Sequence, residues 1–109
     1  MRKIIDCEAI TLDDFVSQGN TPPSLLKIDV EGAEVVVLQG SRKVLAQFKP
    51  IILCETHGMI AAQGVYEILS ELGYEQFIVH NGVRPINSIK DMPNNMDEGH
   101  LFARPKKSN

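Results

Sequence analysis

Two short apolar runs of strand length, Leu25-Leu26-Lys27-Ile28-Asp29-Val30 and Ile51-Ile52-Leu53-Cys54-Glu55, constrain this chain more than any other feature. Neither alternates strictly between apolar and polar residues, which is the pattern of strands buried in a parallel sheet. The roughly 20 residues between them carry helical signals and are long enough for a crossover connection. Strand, helix, strand in this order predicts a right-handed βαβ unit whose two strands run parallel. Their carboxyl ends then share one sheet edge, where open α/β sheets bind ligands.

The flanking segments extend this α/β pattern. Ile4 to Ile10 reads as an edge strand, and Thr11 as the N-cap of a helix over about 12–18, with Asp13 and Asp14 in its first turn. Gly19 to Ser24 is a breaker cluster containing Pro22 and Pro23. Ala33, Val36, Val37 and Gly40 fall at helical spacing and predict the inward stripe of the crossover helix, which Gly40-Ser41 breaks and re-caps toward Val44, Leu45 and Phe48. Val65, Ile68, Leu69 and Leu72 predict a helix over about 60–72 closed by Gly73. Tyr74 to His80 reads as a strand, Asn81-Gly82 as a turn, residues 83–99 as a long loop, and Leu101 to Ala103 as a last strand before a basic tail. The aromatic residues at 15, 48, 66, 74, 77 and 102 are candidates for the core, and His80 and His100 for structural or solvated positions.

At 109 residues the chain is one domain, and small for a complete cofactor-dependent enzyme. Its net charge of -3 argues against a nucleic-acid partner. No apolar run reaches the roughly 20 residues of a membrane span, and Asp6 and Glu8 exclude a signal peptide. Cys7 and Cys54 form no recognisable pair, so free thiols and a cytoplasmic location are expected.

Two acidic segments fall on the predicted ligand-binding edge: Asp29-Val30-Glu31-Gly32 and Glu55-Thr56-His57-Gly58. In extended chain Asp29 and Glu31 point to one side, so Asp29, Glu31 and Glu55 gather near the His57 imidazole. Such a group suits proton transfer or a hard metal ion. The competing reading is structural: Glu31 and Glu34 favour a helix N-terminus, and Gly32 and Gly58 permit tight turns.

The string Lys27-Ile28-Asp29-Val30-Glu31-Gly32-Ala33-Glu34, then Val37-Leu38-Gln39-Gly40 and Lys49-Pro50-Ile51-Ile52-Leu53-Cys54-Glu55, resembles the C-terminal half of FkbM-type methyltransferases, as does the upstream Thr11-Leu12-Asp13-Asp14-Phe15. The resemblance implies a partial class I methyltransferase (Rossmann-like) sheet, with parallel strands near 25–30 and 51–55 and an antiparallel C-terminal strand pair. It implies an S-adenosylmethionine-dependent O-methyltransferase acting on a hydroxyl of a small molecule or sugar. In that setting His57 is the candidate base, Asp29 lies at the cofactor and acceptor cleft beside Val30, and Glu31 and Glu55 position the acceptor.

The family binds its cofactor mainly through a glycine-rich turn and an acidic residue that precede the acidic strand. Only 24 residues precede Leu25, and no two of the eight glycines lie two positions apart. Residues 1–109 therefore read as the C-terminal part of such a domain, expected to be inactive alone. The alternative is a non-catalytic module that uses its sheet edge to bind the missing N-terminal half or another copy of itself.

Overall fold

The computed structural model describes Ile4, residues 6–92 and residues 100–107. Its five-stranded sheet has β1 (Leu25–Ile28), β2 (Ile51–Glu55), β3 (Tyr74–Val79), β4 (Val83–Ile86) and β5 (His100–Pro105) in the spatial order β1-β2-β5-β3-β4. β1 and β2 are parallel, as their apolar runs and the crossover between them predict. β5 lies antiparallel to both β2 and β3. β3 consequently runs with β1 and β2, and the antiparallel C-terminal pair expected from the resemblance is present. The fold is mixed α/β.

The helices are α1 (Leu12–Ser17), α2 (Glu34–Gln39), α3 (Arg42–Phe48) and α4 (Met59–Glu71). Thr11 caps α1 as its sequence predicts, its side chain accepting from the Asp14 N–H at 3.1 Å. Ser41 precedes α3 without capping it, its hydroxyl donating instead to the Val37 carbonyl at 2.7 Å. The Asp13 carboxylate takes over that function from α1, accepting from the N–H groups of Val44 at 2.9 Å and Lys43 at 3.1 Å. The break between α2 and α3 is thus held by a residue about 30 positions upstream. No helix among the described residues is long and apolar enough to cross a membrane.

One sheet face is packed and the other is not. Ile28, Ile52, Cys54, Leu101, Ala103, Tyr74, Ile78 and Ile86 join Leu38, Leu45, Ala62, Val65, Ile68 and Leu69 in a single core. On the opposite face the registers align Lys27, Leu53, Phe102, Phe77 and Pro85 in one row. No described strand residue of that face is buried, and Leu25 keeps 64% of its surface exposed. Double-sided burial, expected from the unalternating runs, is therefore not seen. The run at 51–55 lies inside the sheet and that at 25–30 on its edge strand β1, both without a second layer over them among the described residues.

Several sequence expectations need correction. Ile4 and residues 6–10 form no strand, and Ile4 and Ile10, which would share a face with Asp6 and Glu8, are exposed. β1 stops at Ile28, where the chain turns through left-handed Glu31 (φ 43°) and Gly32 (φ 97°). The segment read as a loop contains β4 and a 3-10 turn at Ile89–Asp91. Pro85 is tolerated within β4 because β4 is an edge strand; residues 93–99 lie outside the described residues. The inward face of α2 is formed by Glu34 and Leu38, both fully buried, whereas Val36 is 69% exposed. Phe15 and Phe48 are exposed, and Phe77 and Phe102 contact each other on the unpacked sheet face rather than in the core. His80 and His100 are solvated.

α2 and α4 pack at Gly64, where an added Cβ would approach Val35 Cγ2 to 2.7 Å. Valine is stiff about χ1 and cannot readily swing away. Gly64→Ala is therefore expected to destabilise the chain by ~1 kcal/mol or more, despite alanine's helix propensity. In a Val35→Ala background the sign should reverse, because only the propensity gain of up to ~1 kcal/mol remains. Urea midpoints of the four variants check this.

Candidate active site

The carboxyl ends of β1 and β2 carry the two acidic segments to one sheet edge, the arrangement the parallel pairing predicts. Asp29 follows β1 directly, Glu55 ends β2, and His57 lies two residues further, just before the positive-φ Gly58 at the start of α4. Donor atoms of Asp29, Glu55 and His57 all lie within 4.8 Å of one another. His57 Nε2 stands 3.9 Å from Asp29 Oδ1, and the His57 side chain retains 29% of its surface. Three of the sequence-predicted site residues thus come together.

Glu31 and Val30 do not join them. Glu31 takes a left-handed conformation, so the extended geometry expected to aim it alongside Asp29 is absent. Val30 is exposed on the same turn, with its carbonyl accepting from the Ala33 N–H at 3.3 Å.

The residue that sequence reasoning missed is Glu34. It opens α2, where an acid reads as a solvent-facing partner of the helix dipole, yet its side chain is completely buried. Its Oε1 accepts from the His57 main-chain N–H at 2.9 Å and lies 2.7 Å from His57 Nδ1. One carboxylate oxygen holds both the backbone and the ring of His57. The other, Oε2, is buried and accepts no hydrogen bond among the described residues. The only sequence signal was its place in the KIDVEGAE string, since the apolar period was phased on Ala33.

The electrostatics follow from this contact. Burial alone would raise the Glu34 carboxyl, but hydrogen bonds from the His57 ring, the α2 backbone and the His57 main chain hold it below its ordinary value. The hydrogen bond to Glu34 raises His57 above its ordinary value; partial burial opposes this, while the charges of Glu34, Glu55 and Asp29 reinforce it. Cys54, beneath the edge, is pushed up to about 12 by burial and by Glu34, Asp29 and Glu55. It is therefore an inert thiol at neutral pH.

Linkage gives a definite pH dependence. The lowered Glu34 carboxyl contributes stability that is full above its unfolded value of 4.5 and lost as pH falls through the folded one. The raised His57 imidazole contributes stability that is full below 6.5 and lost as pH rises through its folded value. Both contributions are complete only between 4.5 and 6.5. The stability advantage of the natural chain over Glu34→Gln should peak in that window and shrink on both sides, as read from denaturant midpoints across pH.

Asp29, Glu55 and His57 are also close enough to share a hard cation, which would occupy Nε2 and preclude proton transfer there. For S-adenosylmethionine the fit is partial. The acidic edge suits a cationic sulfonium, but a concavity of about 520 Å³ among the described residues, bordered by Tyr66, Gln76 and Arg104, is built on other residues.

Comparison with known proteins agrees with the family resemblance of the motif. The chain is 35% identical over 65 residues to the hexuronic acid methyltransferase AglP of Haloferax volcanii, a match covering 59% of this chain and 27% of that relative. The matched segment thus spans about a quarter of the relative's length. No solved structure matches it significantly. The methyltransferase FkbM domain matches residues 2–76, which include every residue of the site edge, and the chain belongs to that family.

Proposed function

We propose that this chain supplies the acceptor-side wall of an S-adenosylmethionine-dependent O-methyltransferase whose substrate presents a sugar-type hydroxyl. The observation that carries the reading is His57 Nε2, partly exposed at the family's acidic motif and 3.9 Å from Asp29 Oδ1. S-adenosylmethionine, when bound, supplies an electrophilic methyl group. The work left to this chain is to orient the acceptor hydroxyl and remove its proton as the oxygen becomes nucleophilic. Neutral His57 takes that proton at Nε2, and the resulting imidazolium is stabilised by Glu34 behind the ring and by Asp29 and Glu55 before it. Asp29 and Glu55 accept hydrogen bonds from neighbouring hydroxyls, which favours a polyol over an isolated alcohol. AglP, a hexuronic acid methyltransferase by name, is consistent with a sugar acceptor.

The test is a graft. Residues 11–76 of this chain, placed in an active full-length family member, should preserve transfer of labelled methyl to a sugar hydroxyl. A graft that folds and binds cofactor but transfers nothing would overturn the reading.

A second reading draws on the unpacked sheet face. Leu25, Ile51, Leu53, Phe77 and Phe102 lie there half-exposed or exposed, and among the described residues the outer edge of β1 pairs with no strand. An apolar face and a free edge invite pairing. In this reading the chain is a binding module for a cofactor-binding polypeptide or for its own copy. Light scattering is expected to show association of the isolated chain, and a monodisperse monomer with a sharp melt would rule this out. One wall of a cleft does not enclose a small ligand. Equilibrium dialysis of the chain alone should therefore give a dissociation constant for S-adenosylmethionine weaker than ~1 mM.

A further inference from the structure

A carboxylate that is fully removed from solvent, with one oxygen unpaired, is costly to keep, because the desolvation of that oxygen is not repaid by a hydrogen bond. Among the described residues Glu34 is such a group, and the hydrogen bonds of its paired oxygen go to the main chain and ring of His57. The turn that delivers it is also unusual, passing through two consecutive left-handed residues, Glu31 and Gly32, immediately before α2. Backbone and burial together fix where the carboxylate ends, directly behind the ring.

A carboxylate accepts hydrogen bonds and cannot donate them when ionised. Glu34 is held ionised below its ordinary value, so at neutral pH Nδ1, at 2.7 Å from Oε1, must carry the hydrogen. In the neutral ring the lone pair then lies on Nε2, the atom facing Asp29 and Glu55.

We infer that Glu34 is a positioning residue of this site, fixing His57 in the Nδ1–H tautomer so that Nε2 is its single proton-accepting atom. Glu34 touches neither substrate nor cofactor and acts through the imidazole. The inference rests on the reading of His57 as the proton acceptor. It adds that the ring's acceptor atom is preset by the protein and does not depend on an arriving substrate.

The test reads the ring directly and needs no methyl transfer, so its failure is separable from failure of the methyltransferase reading. Long-range ¹H–¹⁵N correlation spectra of the labelled 109-residue chain, recorded above the titration of His57, distinguish the two neutral tautomers. His80 and His100, both solvated, serve as internal references. The expected result is a protonated Nδ1 and an unprotonated Nε2 for His57, with a slowly exchanging Nδ1–H signal. In Glu34→Met, which keeps the length of the side chain but offers no acceptor, that signal should vanish and the ring should resemble the references. Glutamine is unsuitable here because its carbonyl can still accept from Nδ1. A protonated Nε2 in the unsubstituted chain overturns the inference, and so does an unchanged His57 spectrum in Glu34→Met. Because the unsubstituted chain alone can overturn it, the test survives a variant that fails to fold.

Discussion

Replacing His57 by alanine, in an active full-length family member carrying the Glu55-Thr56-His57 segment, is expected to lower the turnover of methyl transfer by about 10²–10⁴-fold, the range for a positioned general base. The expectation follows from what the ring does in this geometry. It is the only imidazole among the described residues set at the carboxylate cluster, and its Nδ1 face is occupied by Glu34. Removing it takes away the proposed proton acceptor and leaves Glu34 with the main-chain N–H of position 57 but without the ring. Cofactor affinity should change little, because in the proposed reading His57 faces the acceptor hydroxyl. The pH profile carries a second signature. A raised imidazole moves the acid limb of activity upward from 6.5, since His57 must be neutral to accept a proton. The alanine variant should lose that limb. Unchanged turnover would remove His57 from the role and leave the acidic edge to hydrogen bonding alone.

The frame of the fold was readable because two strong signals coincided. The runs at 25–30 and 51–55 are strand-length and bounded by breakers, and α4 has an apolar stripe closed by Gly73 in a left-handed conformation (φ 81°). Local rules sufficed for each. They failed where a distant residue decides the outcome. Asp13 caps α3 from another helix, a contact with no counterpart in the spacing around Ser41. Glu34 is inward because His57, 23 positions later, gives it a partner. A phase taken from apolar residues alone turned α2 toward Ala33 and Val36, both of which are exposed. At the edge, Asp29, Glu55 and His57 were legible because each sits at or just beyond the end of a parallel strand, where pairing alone fixes proximity. Glu31 was misplaced because a left-handed turn begins one residue too early for extended geometry. Residues 83–86 were lost to the habit of reading proline as a breaker, although an edge strand needs hydrogen bonds on one side only.

The largest effect on folding is expected from Leu38→Ala. Leu38 is fully buried on the same face of α2 as Glu34, one turn further along, within the core that joins this helix to α4 and the sheet. Deleting a buried leucine side chain to alanine costs ~2–5 kcal/mol, rising with the cavity left behind. Small domains have ~5–15 kcal/mol in total. This one packs a single sheet face among the described residues, so its core is half of what a two-layered sheet would have. A loss near the upper end of the range would therefore leave the chain largely unfolded at room temperature. A loss near the lower end would leave it folded but with α2 loosened, and the consequence would reach the site, because α2 carries Glu34. Urea unfolding followed by circular dichroism measures the first effect through the midpoint. The His57 Nδ1–H signal measures the second, and it should broaden or exchange faster before the global transition begins. Leu69→Ala, on the core face of α4, removes a side chain of the same size from the same core without altering a residue of α2. It should cost a similar amount of stability yet leave that signal intact up to the global transition. Equal loss of the signal in both variants would mean that α2 and α4 open only together with the whole domain, and that the Glu34–His57 pair has no stability of its own to lose.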